Sequence, residues 1–306
     1  MSLITADDVK GIFPPLITPM TVDEELNMEQ FRVELAMMLD LPLTGLVIGG
    51  STGEGYALTP GELAHLTETA VKQANGALPV VTGIITTTTR DASARAVAAR
   101  EAGASGVMVT PPIYQRPSID NLLEYYGAIH RASGLPIIIY NVLTGMQVPP
   151  ATIRRLADLP GVIGTKESAG STLAWLSELV DTVSDRISVT WATDDLLYPG
   201  LALGAVGTIS GATSLFPRES LALFDAIQRN DYERARGFHY ALAPVMREVM
   251  CGENWPGLLK ATFNLLGRNV GPARSPFTAP PADQLKRLEE CLAVTCGRLA
   301  ELMAAS

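Results

Sequence analysis

Ile137-Ile138-Ile139-Tyr140-Asn141 is an apolar, β-branched run with no polar residue until its end. A run of this kind reads as a strand buried on both faces, the pattern of a parallel sheet rather than of a sheet with one wet side. Gly134 marks the end of the segment before it. In that segment Ile119, Leu122, Leu123 and Tyr126 recur at helical spacing. A helix packed ahead of a buried strand is part of a βαβ unit.

The same alternation recurs along the chain. The strands expected from it are Ile12 to Ile17, Gly45 to Ile48, Val80 to Ile84, Gly106 to Val109, Pro136 to Tyr140, Val162 to Lys166, Ile187 to Trp191 and Val206 to Ile209. The intervening segments carry helix marks. Met28, Phe31, Leu35 and Met38 form an apolar stripe, Thr59-Pro60-Gly61-Glu62 reads as a capping box, and Asp91 reads as the cap of an alanine-rich helix that stops at Gly103. Eight such units suit a closed (β/α)8 barrel, which takes about 250 residues. The rival is a doubly wound open sheet, which wants a glycine-rich fingerprint after its first strand, where Phe13-Pro14-Pro15 stands.

After Arg229 only helical patterns remain, and Tyr232 to Met250 carries Phe238, Leu242, Val245 and Val249 on one face, with Pro244 expected to kink it. The expected division is a catalytic barrel over 1–229 and a C-terminal helical domain over 230–306.

The 306 residues are 47% hydrophobic and 18% charged, an ordinary globular balance. The net charge of -9 argues against a nucleic-acid surface and against a basic membrane-binding face. An anionic substrate would therefore need a local device to hold it. The cysteines Cys251, Cys291 and Cys296 form no CxxC pair and read as reduced thiols of a cytoplasmic protein. Met1 to Lys10 has no apolar signal region, and no run of about 18 apolar residues occurs, so neither secretion nor membrane spanning is expected.

Barrel enzymes carry their reactive groups at the carboxyl ends of the strands. Lys166 ends strand six in Gly161-Val162-Ile163-Gly164-Thr165-Lys166. A lysine there ordinarily snorkels to the surface. In an interior strand, desolvation favours the neutral amine, a nucleophile toward carbonyl carbon. Tyr140 ends strand five, a place where a tyrosine is commonly a core ring with a wet hydroxyl. Gly49-Gly50-Ser51-Thr52-Gly53-Glu54-Gly55 follows strand two and holds neither a dinucleotide fingerprint nor a P-loop. It could be no more than a tight turn, but its backbone N–H groups, with the Ser51 and Thr52 hydroxyls, could cradle a carboxylate. Cradle, tyrosine and lysine together fit a 2-oxo acid. Thr110-Pro111-Pro112-Ile113-Tyr114 follows strand four.

His65, His130 and His239 fall in helical segments without metal-ligand spacing, so no metal is expected, and no other cofactor either. Asp194-Asp195, after strand seven, reads as the cap of the next helix. Glu54 reads as structural, and Glu167 falls on the opposite face from Lys166.

The glycine-rich segment, Tyr140-Asn141-Val142, Gly164-Thr165-Lys166-Glu167, Gly207-Thr208-Ile209-Ser210 and the late Lys260-Ala261-Thr262-Phe263-Asn264-Leu265-Leu266-Gly267 together resemble the dihydrodipicolinate synthase / N-acetylneuraminate lyase family. The resemblance runs from Gly11 to about Leu292. It implies a (β/α)8 barrel with a C-terminal helical domain, assembled as a homotetramer, a dimer of dimers. It also implies roles. Lys166 would form an imine with pyruvate or another 2-oxo acid, and Tyr140 would relay protons. Ser51 and Thr52 would hold the carboxylate, Thr52 also passing a hydrogen bond to Tyr140, and Ile209 would turn its backbone carbonyl to the site. Tyr114 resembles the tyrosine that dimers of the family lend across the interface, although the neighbouring position often held by a second tyrosine is Ile113 here.

One departure bears on substrate. Dihydrodipicolinate synthases follow the catalytic tyrosine with a stretch whose arginine grips the carboxylate of aspartate semialdehyde. This chain reads Tyr140-Asn141-Val142-Leu143-Thr144-Gly145, with no arginine. The leading expectation is therefore a class I aldolase-type lyase acting on a hydroxylated 2-oxo acid. The alternatives are dihydrodipicolinate synthesis with another carboxylate anchor, dehydration of a 2-keto-3-deoxy sugar acid, and a noncatalytic 2-oxo acid sensor.

Overall fold

The computed structural model describes residues 2–143, 145–168, 172–250 and 252–305. Among these residues eight strands run in chain order as β1 (Gly11–Ile12), β2 (Leu46–Ile48), β3 (Val80–Ile84), β4 (Gly106–Val109), β5 (Ile137–Asn141), β6 (Val162–Glu167), β7 (Ser188–Trp191) and β8 (Gly207–Thr208). Their ladders are all parallel, in the order β1-β8-β7-β6-β5-β4-β3-β2. A parallel bridge between Pro15 and Val47 joins the β1 stave to β2 and closes the sheet on itself. The fold is the (β/α)8 barrel, not the doubly wound open sheet.

The first stave differs from its expected span. Its regular ladder ends at Ile12 instead of reaching Ile17, because Pro14 and Pro15 have no N–H to donate. Other bonds carry the stave onward: Phe13 N–H donates to the Thr208 carbonyl at 3.0 Å, Val47 N–H to the Pro14 carbonyl at 3.0 Å and Leu16 N–H to the Val47 carbonyl at 2.9 Å.

Among the described residues nine α-helices accompany the strands: α1 (Met28–Leu39), α2 (Pro60–Ala74), α3 (Thr89–Glu101), α4 (Ile119–Ser133), α5 (Pro150–Leu156), α6 (Leu173–Val183), α7 (Leu197–Ala202), α8 (Gly211–Leu215) and α9 (Pro217–Gln228). Thr59 and Glu62 form the capping box of α2, and Gly134 ends α4 at φ 70°. The cap of α3 is Thr88 rather than Asp91: the Thr88 hydroxyl accepts the Asp91 N–H, which frees the Asp91 carboxylate to bind Thr86 and Arg95. Every residue of β2, β3, β4 and β5 is buried, one side chain pointing to the axis and the next to the helices. Val47, Val81, Met108, Ile138, Tyr140 and Ile209 share the cluster that fills the interior.

Three more helices follow, α10 (Tyr232–Met250), α11 (Trp255–Leu265) and α12 (Ala282–Ala304). The stripe Phe238, Leu242, Val245 and Val249 of α10 is buried, as its spacing predicts. Two buried ion pairs tie this region to the barrel, Lys260 with Glu54 and Arg268 with Glu34. Burial presses the Lys260 pKa below its ordinary value, while the Glu54 carboxylate opposes that fall. Cys291 and Cys296 are free thiols, and Cys251 lies outside the described residues. Among the described residues no helix is long and apolar enough to cross a membrane.

Candidate active site

Parallel register sets Tyr140 of β5 beside Lys166 of β6. Residues paired this way point to the same face of a sheet, which here is the barrel interior. Lys166 does not snorkel outward; it is 6% exposed and Tyr140 is 1% exposed. Lys166 Nζ donates to Tyr140 Oη at 3.2 Å and lies 4.3 Å from the ring centroid. Glu167, on the opposite face, accepts a bond from Asn141 Nδ2 at 2.6 Å.

The segment after β2 completes a line of polar groups. Tyr140 Oη donates to Ser51 Oγ at 2.9 Å and accepts the Ser51 N–H at 3.1 Å. The hydroxyl against Tyr140 is thus that of Ser51, where Thr52 was expected. The reason lies in how the segment coils. Gly49 takes φ +72°, and a Cβ on Gly55 would stand 1.8 Å from the Gly49 carbonyl oxygen, so both positions need glycine. The coil uses most of its own amides: Gly53 and Gly55 donate to the Gly50 carbonyl and Glu54 to the Ser51 carbonyl. Of residues 51–55, the Thr52 amide is the one without a partner among the described residues. What the segment leaves open is less than a row of free N–H groups: the Thr52 amide and two hydroxyls.

Burial opposes ionisation of Tyr140, but the Lys166 ammonium and the bonds from Ser51 outweigh it, so the phenol pKa falls below its ordinary 10.0. Above these groups lies a cavity of about 560 Å³. Ser51, Thr52, Tyr140 and Lys166 line it, and Lys166 is the only cation among its described lining residues. Leu143 lines it where a synthase-type arginine would be sought, and Thr144 lies outside the described residues. Arg116 reaches the same loop from elsewhere and donates to the Gly145 carbonyl rather than lining the cavity.

Two parts of the wall were not among the expected site residues. Asp194 and Asp195 stand on the cavity from the turn after β7, and Met246, Met250 and Trp255 reach it from α10 and α11. Asp194 does cap a helix, but α8 rather than the α7 that follows it, because the β8 stave brings the Ala212 N–H to 2.7 Å from Asp194 Oδ1. Burial lifts the Asp194 pKa from 3.8 to about 6, against the opposing pull of the Ala212 amide and the Lys166 charge. An acid pair directly after a strand, at the carboxyl end of the barrel, was the signal available. The three apolar residues gave none, since only the return of α10 over the barrel mouth brings them there.

The remaining expected site residues, Ile209 and Tyr114, do not line this cavity. Ile209 is fully buried, its side chain packed in the interior cluster with Tyr140. Tyr114 is 87% exposed at φ 81° and borders a second cavity, of about 380 Å³, that shares Ser51, Val142 and Leu143 with the first. Within one chain it does not meet Lys166.

A lysine, a tyrosine and a glycine-rich cradle at the mouth of a parallel barrel are the arrangement that the sequence motifs resembled, and the sequence matches the model of the Dihydrodipicolinate synthetase family over residues 8–294. The chain belongs to the dihydrodipicolinate synthetase family. Membership of this family makes it an enzyme, a lyase. It is similar to the 4-hydroxy-tetrahydrodipicolinate synthase of Thermomicrobium roseum, 35% identical over 298 residues that cover 97% of each chain. Among solved structures it is similar to the 4-hydroxy-tetrahydrodipicolinate synthase of the thermoacidophilic methanotroph Methylacidiphilum fumariolicum SolV, with a TM-score of 0.91 and 27% identity over 97% of this chain and 99% of that one. A prophage protein of the dihydrodipicolinic acid synthase family from E. coli, solved in complex with pyruvate, has a TM-score of 0.87 and 26% identity over 94% of this chain and 98% of that one.

Proposed function

We propose that this member of the family is a class I aldolase-type lyase that cleaves or forms a hydroxylated 2-oxo acid through an imine between Lys166 and the 2-oxo carbon. The observation that carries the reading is the line from Lys166 Nζ to Tyr140 Oη at 3.2 Å and on to Ser51 Oγ at 2.9 Å, opening on the cavity. As a neutral amine, Lys166 attacks the C2 ketone, and Tyr140 hands a proton to the departing oxygen, which leaves as water. The protonated imine then draws in the electrons of the C3–C4 bond while Tyr140 takes the proton of the C4 hydroxyl. That bond breaks, an aldehyde leaves, and the enamine picks up a proton at C3. Water hydrolyses the pyruvate imine and frees the amine. The lowered phenol pKa suits this shuttle. Ser51 and Thr52 hold the substrate carboxylate, and the Ile209 backbone carbonyl faces the site.

A second reading, 4-hydroxy-tetrahydrodipicolinate synthesis, is favoured by the names that the relatives carry. It would bring a second carboxylate into a cavity where Lys166 is the only described cation and where Asp194 and Asp195 stand on the wall. Among the described lining residues no arginine meets that carboxylate, which weighs against it. A further part of the proposal is a cytoplasmic homotetramer, and the exposure of Tyr114 supports the part of it in which that ring is covered by a neighbouring copy.

A turnover screen over 4-hydroxy-2-oxo acids, read as pyruvate release, tests the reading, and release from at least one of them is expected. Loss of water without carbon cleavage would instead mark a dehydratase, condensation of pyruvate with aspartate semialdehyde would mark the second reading, and saturable binding without turnover would mark a sensor.

A further inference from the structure

We infer that Lys260 is a positioning residue for the carboxylate cradle, holding it from outside the barrel; the inference rests on the imine reading above. Lys260 belongs to the late Lys260-to-Gly267 motif, for which the mechanism has no other use. Its side chain is 2% exposed and never reaches the cavity. It grips instead the two residues that follow Ser51 and Thr52. Nζ lies 3.2 Å from Glu54 Oε1 and donates to the Thr18 carbonyl at 2.5 Å. Thr18 in turn donates its hydroxyl to the Gly53 carbonyl at 2.7 Å.

Glu54 is poised to transmit this grip. It sits at φ 54°, a left-handed conformation that a non-glycine residue adopts only when its surroundings hold it there. Its N–H closes the turn onto the Ser51 carbonyl at 3.0 Å, and its second carboxylate oxygen accepts the Arg274 N–H at 2.8 Å. Without the ammonium, a buried carboxylate is left short of a counter-charge and drives the turn toward a more solvated shape. The groups that move first are the Thr52 amide and the Ser51 hydroxyl, which hold the substrate carboxylate and not its ketone. The effect must therefore depend on the charge of the ligand, whereas a purely structural role would lower every ligand alike.

Borohydride trapping at rising ligand concentration separates these cases, with pyruvate and its uncharged methyl ester as probes. For Lys260→Met we expect the half-saturating concentration of pyruvate to rise about tenfold or more, the scale of a lost charge-assisted hydrogen bond. The value for methyl pyruvate and the trapping rate at saturation should change far less, and Lys260→Arg should recover part of the pyruvate affinity. Glu54→Gln keeps the lysine and the side-chain shape, so it should show the same selective loss even if Lys260→Met fails to fold. Equal effects on both probes, or wild-type pyruvate affinity in Glu54→Gln, would overturn the inference. Failure of the wild-type enzyme to form any adduct would instead bring down the imine reading beneath it.

Discussion

Asp194→Asn removes one buried charge while keeping an oxygen for the Ala212 N–H, so its effect on stability is nearly a pure electrostatic measurement. In the folded protein the carboxyl titrates at about 6 rather than 3.8, with burial as the main cause. The folded state binds the proton more tightly than the unfolded chain does. The stability this group contributes is accordingly full below pH 3.8 and is lost as pH rises through about 6. The gap is worth about 3 kcal/mol at most, since water in the cavity screens part of it, and about 1.4 kcal/mol of that is lost between pH 5 and pH 8. In a chain of this size that corresponds to a shift of roughly 2 °C in Tm. Thermal unfolding of both proteins, followed by circular dichroism at pH 5 and pH 8, reads it directly. The variant should gain about 2 °C on the wild type over that interval. A Tm difference that stays constant with pH, or moves the other way, would refute the claim that the barrel mouth desolvates Asp194.

Three further outcomes follow from the same geometry. Tyr140→Phe should lower kcat by about 10²- to 10⁴-fold and form the pyruvate adduct more slowly but not lose it, because the same relay serves imine formation and cleavage; an unchanged kcat would rule out the relay. Gly55→Ala forces a Cβ to within 1.8 Å of the Gly49 carbonyl oxygen, so it should abolish adduct formation and lower the urea midpoint, and normal trapping would show that the segment can relax. Tyr114→Ala should weaken self-association as judged by light scattering; unchanged mass with unchanged activity would count against a shared interface.

The barrel could be read from sequence because a strand buried on both faces leaves a continuous apolar run, as at Ile137–Asn141. The same rule overextended β1, where Phe13-Pro14-Pro15 keeps the stave but cannot keep its ladder. Capping was less secure, because Thr88 and Asp91 both have acceptors that suit a helix start, and only the backbone path decides between them. At the site, Lys166 and Tyr140 were visible as polar residues closing apolar strands. The choice of Ser51 over Thr52 was not, since it depends on the coil of a seven-residue turn. Asp194 was seen but matched to the wrong helix, and Met246, Met250 and Trp255 enter the wall only through the folding back of α10 and α11.

The most direct test of the imine is to reduce the protein with borohydride in the presence of pyruvate and map the modified peptide by mass spectrometry. The adduct should fall on Lys166 alone and vanish in Lys166→Met, with Lys260, buried away from the cavity, unmodified. An adduct elsewhere, or none across a panel of 2-oxo acids, would contradict the account.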